Sequence, residues 1–408
     1  MPVAEKISSY FSGIGAKRLS RVEVKPDNSN QHEFNGINAF KEFFGSDKIR
    51  FKGTFIFLSD DQDKVDKIDG TLTWYDARAK HPTRSEFRLY YTSNIVIEAA
   101  SQDDLLIIAR TKADSLMIIV APEGSTSEKQ LLWLFGLDEV GDKFITRDFE
   151  YEDRELGFAG KYILSELGIE LVEKDTSYFD ELFNRFGNTF PTTKVFSEFS
   201  RSTVIGVSAI EEPDKTLLAW LEREELLFKA LEAKIVSAKL KNGFGLVSSE
   251  VEEFISFSLS VQNRRKSRAG HAFENNLAKI FEVNNIYFAK GATTERSNKP
   301  DFLFPGLSEY QNLTFPADML TMLGVKTTAK DRWRQILMEA DRVSLKHLIT
   351  LEPSISKNQT DEMIAQKIQL ILPEPLLSTY TQSQQQTLIT LSQFLNFLKI
   401  RQLKTLGI

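Results

Sequence analysis

The chain has 408 residues, of which 41% are hydrophobic and 26% are charged. This is the balance of a globular protein, and the length allows two or three hydrophobic cores. The lack of cysteine excludes disulfides and thiolate chemistry, and four scattered histidines do not suggest a zinc site. A net charge of −6 argues against a generally basic nucleic-acid coat but still permits local basic surfaces. Any bound metal is therefore expected to have oxygen ligands.

The chain offers no membrane or export signal. No apolar run approaches the length of a bilayer span, and the first ten residues lack a basic region followed by an apolar stretch. We therefore expect a protein without a membrane partner, in the cytoplasm of a prokaryotic cell.

The N-terminal part, residues 1–177, is predicted to be a β domain. Short apolar runs rich in Phe, Ile, Val, Thr and Tyr alternate with polar turns, a pattern typical of strands. The predicted strands are residues 53–58, 70–75, 87–91, 94–99, 104–110 and 115–120. Residues 36–44 are predicted to be helical. We expect a mixed β-barrel or sandwich.

Residues 178–212 contain several helix breakers and are predicted to be an interdomain linker. From residue 213 to 408 the pattern predicts helices alternating with strands, which indicates an α/β domain. The predicted helices are 216–240, 248–259, 271–283, 331–343 and 384–401. The predicted strands are 286–289, 301–304, 322–327, 347–351 and 368–372.

Three residues of the second domain form a candidate catalytic set. Asp301 begins a buried strand after a proline, although such a pair by itself is more typical of a turn. Lys326 lies in an apolar strand, where an unpaired ammonium is costly unless it reaches solvent from an edge strand. Glu339 is predicted two turns into a helix that Thr328 and Asp331 cap, on the same face as Ile336 and Val343.

An acid on one strand, a lysine on the next and an acid on the following helix can surround one Mg²⁺ beside a phosphate. Carboxylate oxygens suit Mg²⁺, which keeps several of its own waters. The metal would polarise the phosphate, and the lysine would stabilise the developing negative charge. This set therefore predicts metal-dependent cleavage of a phosphodiester.

The second domain resembles the catalytic domain of the EcoRII restriction endonuclease family, within the PD-(D/E)XK nuclease fold. The strings that carry the resemblance are SVQNRRKSRAG at 260–270, KPDFLFP at 299–305 and VKTTAKDRWRQIL at 325–337. The resemblance implies that Asp301, Lys326 and Glu339 are catalytic, and that Glu274 joins Asp301 and Glu339 at the metal. The position two before Lys326 is Gly324, not an acid, so the resemblance implies that Glu339 supplies the missing carboxylate.

Two groups of charged residues in this domain are candidates for DNA contact. A cluster without acids precedes the helix of Glu274, and it indicates either phosphate contact or a solvated face. Its members are Arg264, Arg265, Lys266 and Arg268. The second group contains arginines and an aspartate, which can bind the base edges of guanine and cytosine. The resemblance implies a CC…GG target. The residues of this group are Lys330, Asp331, Arg332 and Arg334.

The N-terminal domain resembles, more loosely, the B3-like pseudobarrel that binds effector DNA in this family. The matching strings are AKRLS at 16–20 and YDARAKHPTRSEFR at 75–88. The candidate DNA contacts are Lys17, Arg18, His32, Arg78, Lys80, Thr83, Arg84, Glu86 and Arg88. An ordinary charged surface is the alternative.

The resemblance implies a homodimeric, Mg²⁺-dependent type II (type IIE-like) restriction endonuclease. It would cut double-stranded DNA at a CCWGG or CCNGG site while the N-terminal domain binds a second, effector copy. Two other functions stay open at this point. One is a DNA-binding regulator with an inactive nuclease fold, and the other is a nuclease that senses methylated DNA.

Overall fold

A computed structural model describes residues 6–24, 32–34, 37–60, 65–149, 155–169, 176–244 and 248–406. The chain forms two compact units. The first comprises Met1–Leu171 with Ser354–Asn358, and the second comprises Val172–Pro353 with Gln359–Ile408. Within the described ranges, no helix combines the length and the apolar character of a membrane span.

The first unit is built on one mixed sheet of eight strands. The strands are β1 (Phe11–Arg18), β2 (Glu33–Phe34), β3 (Ile49–Leu58), β4 (Val65–Asp76), β5 (Phe87–Tyr91), β6 (Leu105–Thr111), β7 (Leu116–Ala121) and β8 (Ile145–Asp148). Their order is β2-β5-β4-β3-β7-β6-β1-β8, with β3 and β7 parallel and the other pairs antiparallel. In the described part of the sheet, the edge strands β2 and β8 are not paired with each other. The β-rich fold is confirmed, whereas a B3-like pseudobarrel stays a prediction.

Both faces of this sheet are buried at its central strands β6 and β7. In β6, Leu105 and Ile107 point into one apolar core, and Leu106 and Ile108 point into the other. This explains a continuous apolar run in place of an alternating one. The helices are α1 (Arg21–Val24), α2 (Lys41–Phe44), α3 (Ile95–Ala99), α4 (Thr126–Phe135) and α5 (Phe158–Glu166), with short 3-10 helices at Ile7–Ser9 and Asn38–Phe40.

The strand predicted at 94–99 is wrong, because these residues form helix α3. The side chain of Asn94 accepts hydrogen bonds from the amides of Val96 and Ile97, both at 3.2 Å. This N-cap starts a helix despite the β-branched residues that follow it. The local cap thus outweighs the strand propensity of Ile and Val.

The second unit contains a mixed sheet with helices around it. The strands are β9 (Ala289–Lys290), β10 (Phe302–Phe304), β11 (Thr321–Lys326), β12 (Lys346–Thr350), β13 (Ile368–Leu372) and β14 (Ile389–Thr390). They follow one another in the order β14-β13-β12-β11-β10-β9. The pairs from β11 to β14 are parallel, and β10 pairs antiparallel with both β11 and β9. The predicted α/β character is confirmed.

Eight α-helices and several 3-10 helices are described in this unit. The α-helices are α6 (Phe179–Phe186), α7 (Thr193–Ser202), α8 (Pro213–Asn242), α9 (Ser248–Val283), α10 (Leu307–Gln311), α11 (Lys357–Ala365), α12 (Gln382–Gln385) and α13 (Leu391–Leu406). The 3-10 helices are Glu295–Ser297, Ala317–Met319, Lys330–Met338 and Glu374–Thr379. The helices predicted separately at 248–259 and 271–283 are parts of the single helix α9.

The segment 178–212 contains helices α6 and α7 where we expected an irregular connection. Their apolar residues Leu182, Phe196 and Phe199 share a buried cluster with Leu227 and Leu231 of α8. The side chain of Thr192 caps α7 through the amide of Val195 at 3.4 Å. Aromatic residues three apart on α7 therefore bury one face of this helix.

Candidate active site

Asp301 lies directly before β10, facing the end of β11. Its Oδ2 accepts a hydrogen bond from the amide of Val325 at 2.6 Å. Burial raises the pKa of Asp301, and the carboxylate of Glu274 adds to this effect. The ammonium of Lys326 and the amide of Val325 act in the opposite direction. The sheet thus holds the carboxyl group in place, and burial limits its exposure to solvent.

Lys326 is the last residue of β11. Its Nζ lies 3.6 Å from Oδ2 of Asp301, and the two side chains are 21% and 20% exposed. Strand β11 lies inside the sheet between β10 and β12, so the lysine is not an edge-strand residue reaching solvent. The ion pair with Asp301 accounts for a lysine at the end of an otherwise buried strand.

Glu339 is brought to the same place, but not by an α-helix. The preceding residues Lys330–Met338 form a 3-10 helix, and Glu339 is its C-cap with extended backbone, φ −93° and ψ 145°. Trp333 and Ile336, both fully buried, lie three residues apart and anchor one side of this helix. The prediction that Glu339 lies two turns into an α-helix, on a face shared with Ile336 and Val343, is therefore wrong.

The start of this 3-10 helix also differs from the prediction. Its N-cap is Ala329, without a capping side chain, one residue beyond the predicted cap position Thr328. The buried carboxylate of Glu352 accepts hydrogen bonds from the amides of Ala329, at 2.6 Å, and Lys330, at 3.0 Å. Glu352 follows β12, so sequence spacing alone gave no signal of this role.

The carboxylate of Glu339 is the least satisfied polar group of the site. Burial raises its pKa to about 7, with a further contribution from the charge of Asp301, while Lys326 and Lys346 lower it. Its Oε2 is buried and has no hydrogen-bond partner in the described structure. A buried carboxylate oxygen without a donor is costly, so a cation is the complement that this group lacks.

Gly324 explains why the acid comes from Glu339. A Cβ atom at position 324 would lie 2.6 Å from Cγ2 of the buried Ile336. Any side chain there would displace Ile336 or the 3-10 helix that carries it. The close approach of this helix excludes an acid from β11 and places Glu339, at the end of the same helix, beside Asp301.

Glu274 extends from α9 toward this pair. Its Oε2 lies 3.2 Å from Nζ of Lys290, and its Oε1 lies 3.9 Å from Nδ1 of His271. Among the described side chains, no group of three or more His, Asp and Glu residues is arranged to hold a metal by itself. Mg²⁺ needs only one or two carboxylates beside its waters and a phosphate, which Asp301 and Glu339 can supply. The residues therefore fit a magnesium ion.

Three members of the basic cluster on α9 are engaged with neighbouring residues. Arg268 is 7% exposed and pairs with Glu225. The Nε of Arg265 donates to Glu232 at 2.7 Å, and the guanidinium of Arg264 lies 4.3 Å from the ring centre of Phe190. Lys266 is exposed. In this structure Arg268 supports helix packing, whereas Arg265 and Lys266 are exposed.

The second basic group lies on the 3-10 helix before Glu339. Lys330 is buried and Arg332 is exposed. Arg334 donates to both carboxylate oxygens of Glu362 at 3.0 and 2.8 Å, and its guanidinium lies 4.6 Å from the ring centre of Trp333. The side chain of Asp331 is outside the described set. Base reading by this group stays a prediction.

The N-terminal candidates divide into paired and open side chains. Arg88 donates to Glu33 at 2.7 Å and to Glu86 at 2.8 Å, and Glu86 also binds Arg78 at 2.6 Å. The buried Lys17 pairs with Glu23 at 2.6 Å. Sequence reasoning missed the acidic partner Glu33, because it is distant from Arg88 along the chain.

The remaining candidates differ in exposure. Arg18 pairs with Glu128, and the ring of His32 lies 6.0 Å from that of Tyr91. Residues 77–85 form an exposed loop after β4. Its open candidates are Lys80, Thr83 and Arg84. The surface of this loop is therefore the part of the candidate set that is available to a partner.

An acid and a lysine lie at adjoining strand ends with a second acid near them, which are the residue types that the sequence predicted for a PD-(D/E)XK site. Residues 228–395 match the family model "EcoRII C terminal". The matched range includes the three sequence strings at 260–270, 299–305 and 325–337.

The type II restriction enzyme EcoRII of Escherichia coli is 39% identical over 207 residues, which is 50% of each chain. The chain thus matches about half the length of this curated relative. Among solved structures, metal-depleted Ecl18kI with uncleaved, modified DNA has 16% identity and a TM-score of 0.43, covering 56% of this chain and 84% of that one. A restriction endonuclease PspGI–substrate DNA complex has 15% identity and a TM-score of 0.44, covering 53% and 94%.

Proposed function

We propose that the protein is a type II restriction endonuclease that makes Mg²⁺-dependent double-strand cuts in DNA. The observation that carries the proposal is the buried, unpartnered Oε2 of Glu339 beside Asp301 and Lys326. The match of residues 228–395 to the EcoRII C-terminal family model supports the same activity. The sequence relationship to EcoRII supports the class of substrate, which is double-stranded DNA.

The side chains have separate roles in this proposal. Asp301 and Glu339 hold the cation, and Glu274 supports the site from α9. When bound, Mg²⁺ supplies the positive charge that polarises the scissile phosphate and promotes ionisation of the attacking water. Lys326 stabilises the negative charge that develops on the phosphate, since its ammonium already lies 3.6 Å from Asp301.

The finer proposal concerns the DNA. The exposed Lys266 and Arg332 are the candidate contacts of the second unit with the duplex. We propose a CC…GG target, CCWGG or CCNGG, read by a homodimer. The N-terminal unit would bind a second, effector copy of DNA through its exposed 77–85 loop. Its basic side chains would contact phosphate.

The test is cleavage of plasmid DNA by the full chain, with and without Mg²⁺, followed by mapping of the cut ends. Lys326→Ala is compared with Lys404→Ala, an exposed lysine on α13. We expect discrete Mg²⁺-dependent cuts at CC…GG sites by the wild type and Lys404→Ala, and none by Lys326→Ala. If the wild type binds DNA but does not cut it, even with added effector duplex, the nuclease proposal fails in favour of a DNA-binding regulator.

A further inference from the structure

The main chain around Glu339 converges on one buried ammonium group. Lys346, the first residue of β12, is 7% exposed. Its Nζ donates hydrogen bonds to the carbonyls of Glu339, of Ala340 at 3.1 Å and of Val343 at 3.0 Å. In the described structure these three bonds use the three donors of the ammonium, and all of them end on main-chain oxygens.

The turn that Lys346 binds is not a continuation of regular structure. Glu339 is extended, and Ala340 has φ +49°, a left-handed conformation that an alanine rarely adopts. Such a backbone persists only where its surroundings hold it. A buried lysine that bonds to both of these residues and to Val343 supplies that restraint.

The same turn is tied to the segment that leads to Asp301. The Nδ2 of Asn298 donates to the carbonyl of Met338 at 2.6 Å. The amide of Asp341 donates to Glu295 at 3.3 Å, and Asp341 pairs with Arg296 at 3.0 Å. These side chains therefore link the segment before Asp301 to the turn after Glu339. Lys346, on β12, binds the same turn from the sheet.

We propose that Lys346 is a positioning residue of the metal site: it fixes the main chain of Glu339 so that the unpaired carboxylate stays beside Asp301. This inference rests on the proposed function. It assigns Lys346 no contact with DNA or metal. Its ammonium replaces the ordinary helix that would otherwise fix such a side chain, because Glu339 lies beyond the end of the 3-10 helix.

The test compares the wild type with Lys346→Met and with the control Lys404→Met, all as full chains. Met has a similar length but no donor, so the three carbonyls lose their partner. Binding of Mn²⁺ to each protein with a short CC…GG duplex is measured by loss of the free-ion electron paramagnetic resonance signal. Glu339→Gln identifies the part of this binding that belongs to the site. Amide hydrogen exchange of residues 338–343 is measured in parallel.

We expect Lys346→Met to weaken site-specific Mn²⁺ binding by about 10- to 100-fold and to accelerate exchange in 338–343, with metal-free DNA binding unchanged. Wild-type Mn²⁺ affinity in this variant would overturn the proposal, whether exchange is faster or not. If Lys346→Met does not fold, Lys346→Gln, which keeps two N–H donors on a shorter side chain, replaces it with the same criteria. If the wild type binds Mn²⁺ through Glu339 but does not cut DNA, the nuclease proposal is refuted. The role of Lys346 is then still decided by the Mn²⁺ affinity of Lys346→Met.

Discussion

A charge network in the first unit and the candidate site in the second unit hold their charges in opposite ways. In the first unit, Arg88 is held between Glu33 and Glu86, and these hydrogen bonds raise the pKa of Arg88 while its guanidinium lowers that of Glu86. In the second unit, burial raises the pKa of both Asp301 and Glu339. Charges in the first network are stabilised by one another, whereas the second pair is destabilised by its surroundings.

This difference separates structural charges from a candidate catalytic site. A paired network stabilises the folded state and needs no further ligand. Two neighbouring acids with raised pKa values, one of them with a buried unbonded oxygen, destabilise the folded state. A bound cation can offset this destabilisation. Unsatisfied groups, not the number of charged residues, therefore indicate function in the second unit.

The largest effect is expected for cleavage by Glu339→Gln. The amide removes the negative charge but keeps the size of the side chain. We expect a loss of at least about a hundredfold in cleavage rate, since a group that stabilises charge in the reaction is removed. The control is Glu282→Gln, an exposed acid at the end of α9, and the measurement is single-turnover cleavage of a CC…GG duplex. Near-normal cleavage by Glu339→Gln would place the catalytic acid elsewhere.

The second prediction concerns the pH dependence of stability without divalent metal. The folded state raises the pKa of Glu339 from 4.5 to about 7, so it holds this proton more tightly than the unfolded chain. Ionisation of Glu339 therefore costs stability increasingly as pH rises from 4.5 to about 7, and fully above that.

Glu339→Gln removes this cost. We expect the variant to be more stable than the wild type by about 1 to 3 kcal/mol at pH 8, a range that allows for partial solvent screening, and by almost nothing at acidic pH. Thermal unfolding in metal-free buffer at several pH values measures this difference. A constant difference at all pH values would show that the titration of Glu339 is not its source.

The sequence predicted which residues form the candidate site better than it predicted the local structure that positions them. Asp301 and Lys326 were predicted from short sequence strings that also predict the strands beside them. The structure places their side chains 3.6 Å apart. Glu339 was predicted with the wrong local structure, because the i, i+3 pattern of Trp333 and Ile336 fits a 3-10 helix as well as an α-helix.

What the sequence could not predict are contacts between residues far apart in the chain. The carboxylate of Glu352 caps the helix that begins at Lys330, and the guanidinium of Arg88 binds Glu33. Helix α3 was missed for a local reason, since the cap of Asn94 competes with the strand propensity of Val96 and Ile97. Neither kind of contact leaves a periodic signal.

The third prediction tests the paired network of the first unit. Arg88→Ala leaves Glu33, whose side chain is 10% exposed, without its counter-charge. We expect a loss of about 1 to 3 kcal/mol in the stability of this unit, measured by thermal or urea unfolding. Arg84→Ala, in the exposed loop, is the control and should leave stability unchanged. Equal stability of the two variants would show that the network around Arg88 is not structural.

The smallest effect is expected for DNA binding by the exposed loop. Lys80→Ala combined with Arg84→Ala should weaken binding and reduce the slope of log affinity against log salt by about 2, if each contacts one phosphate. Lys129→Ala combined with Lys161→Ala is a charge-matched control within the same unit. An unchanged slope would assign the loop to an ordinary charged surface.

The most direct measurement of the central claim is the position of a bound cation. Crystals of Lys326→Ala with an intact CC…GG duplex and Mn²⁺ would show the ion by its anomalous scattering. We expect one ion coordinated by carboxylate oxygens of Asp301 and Glu339 and by a phosphate oxygen of the DNA. A DNA complex in which Mn²⁺ lies elsewhere, with Oε2 of Glu339 still unpartnered, would contradict the account.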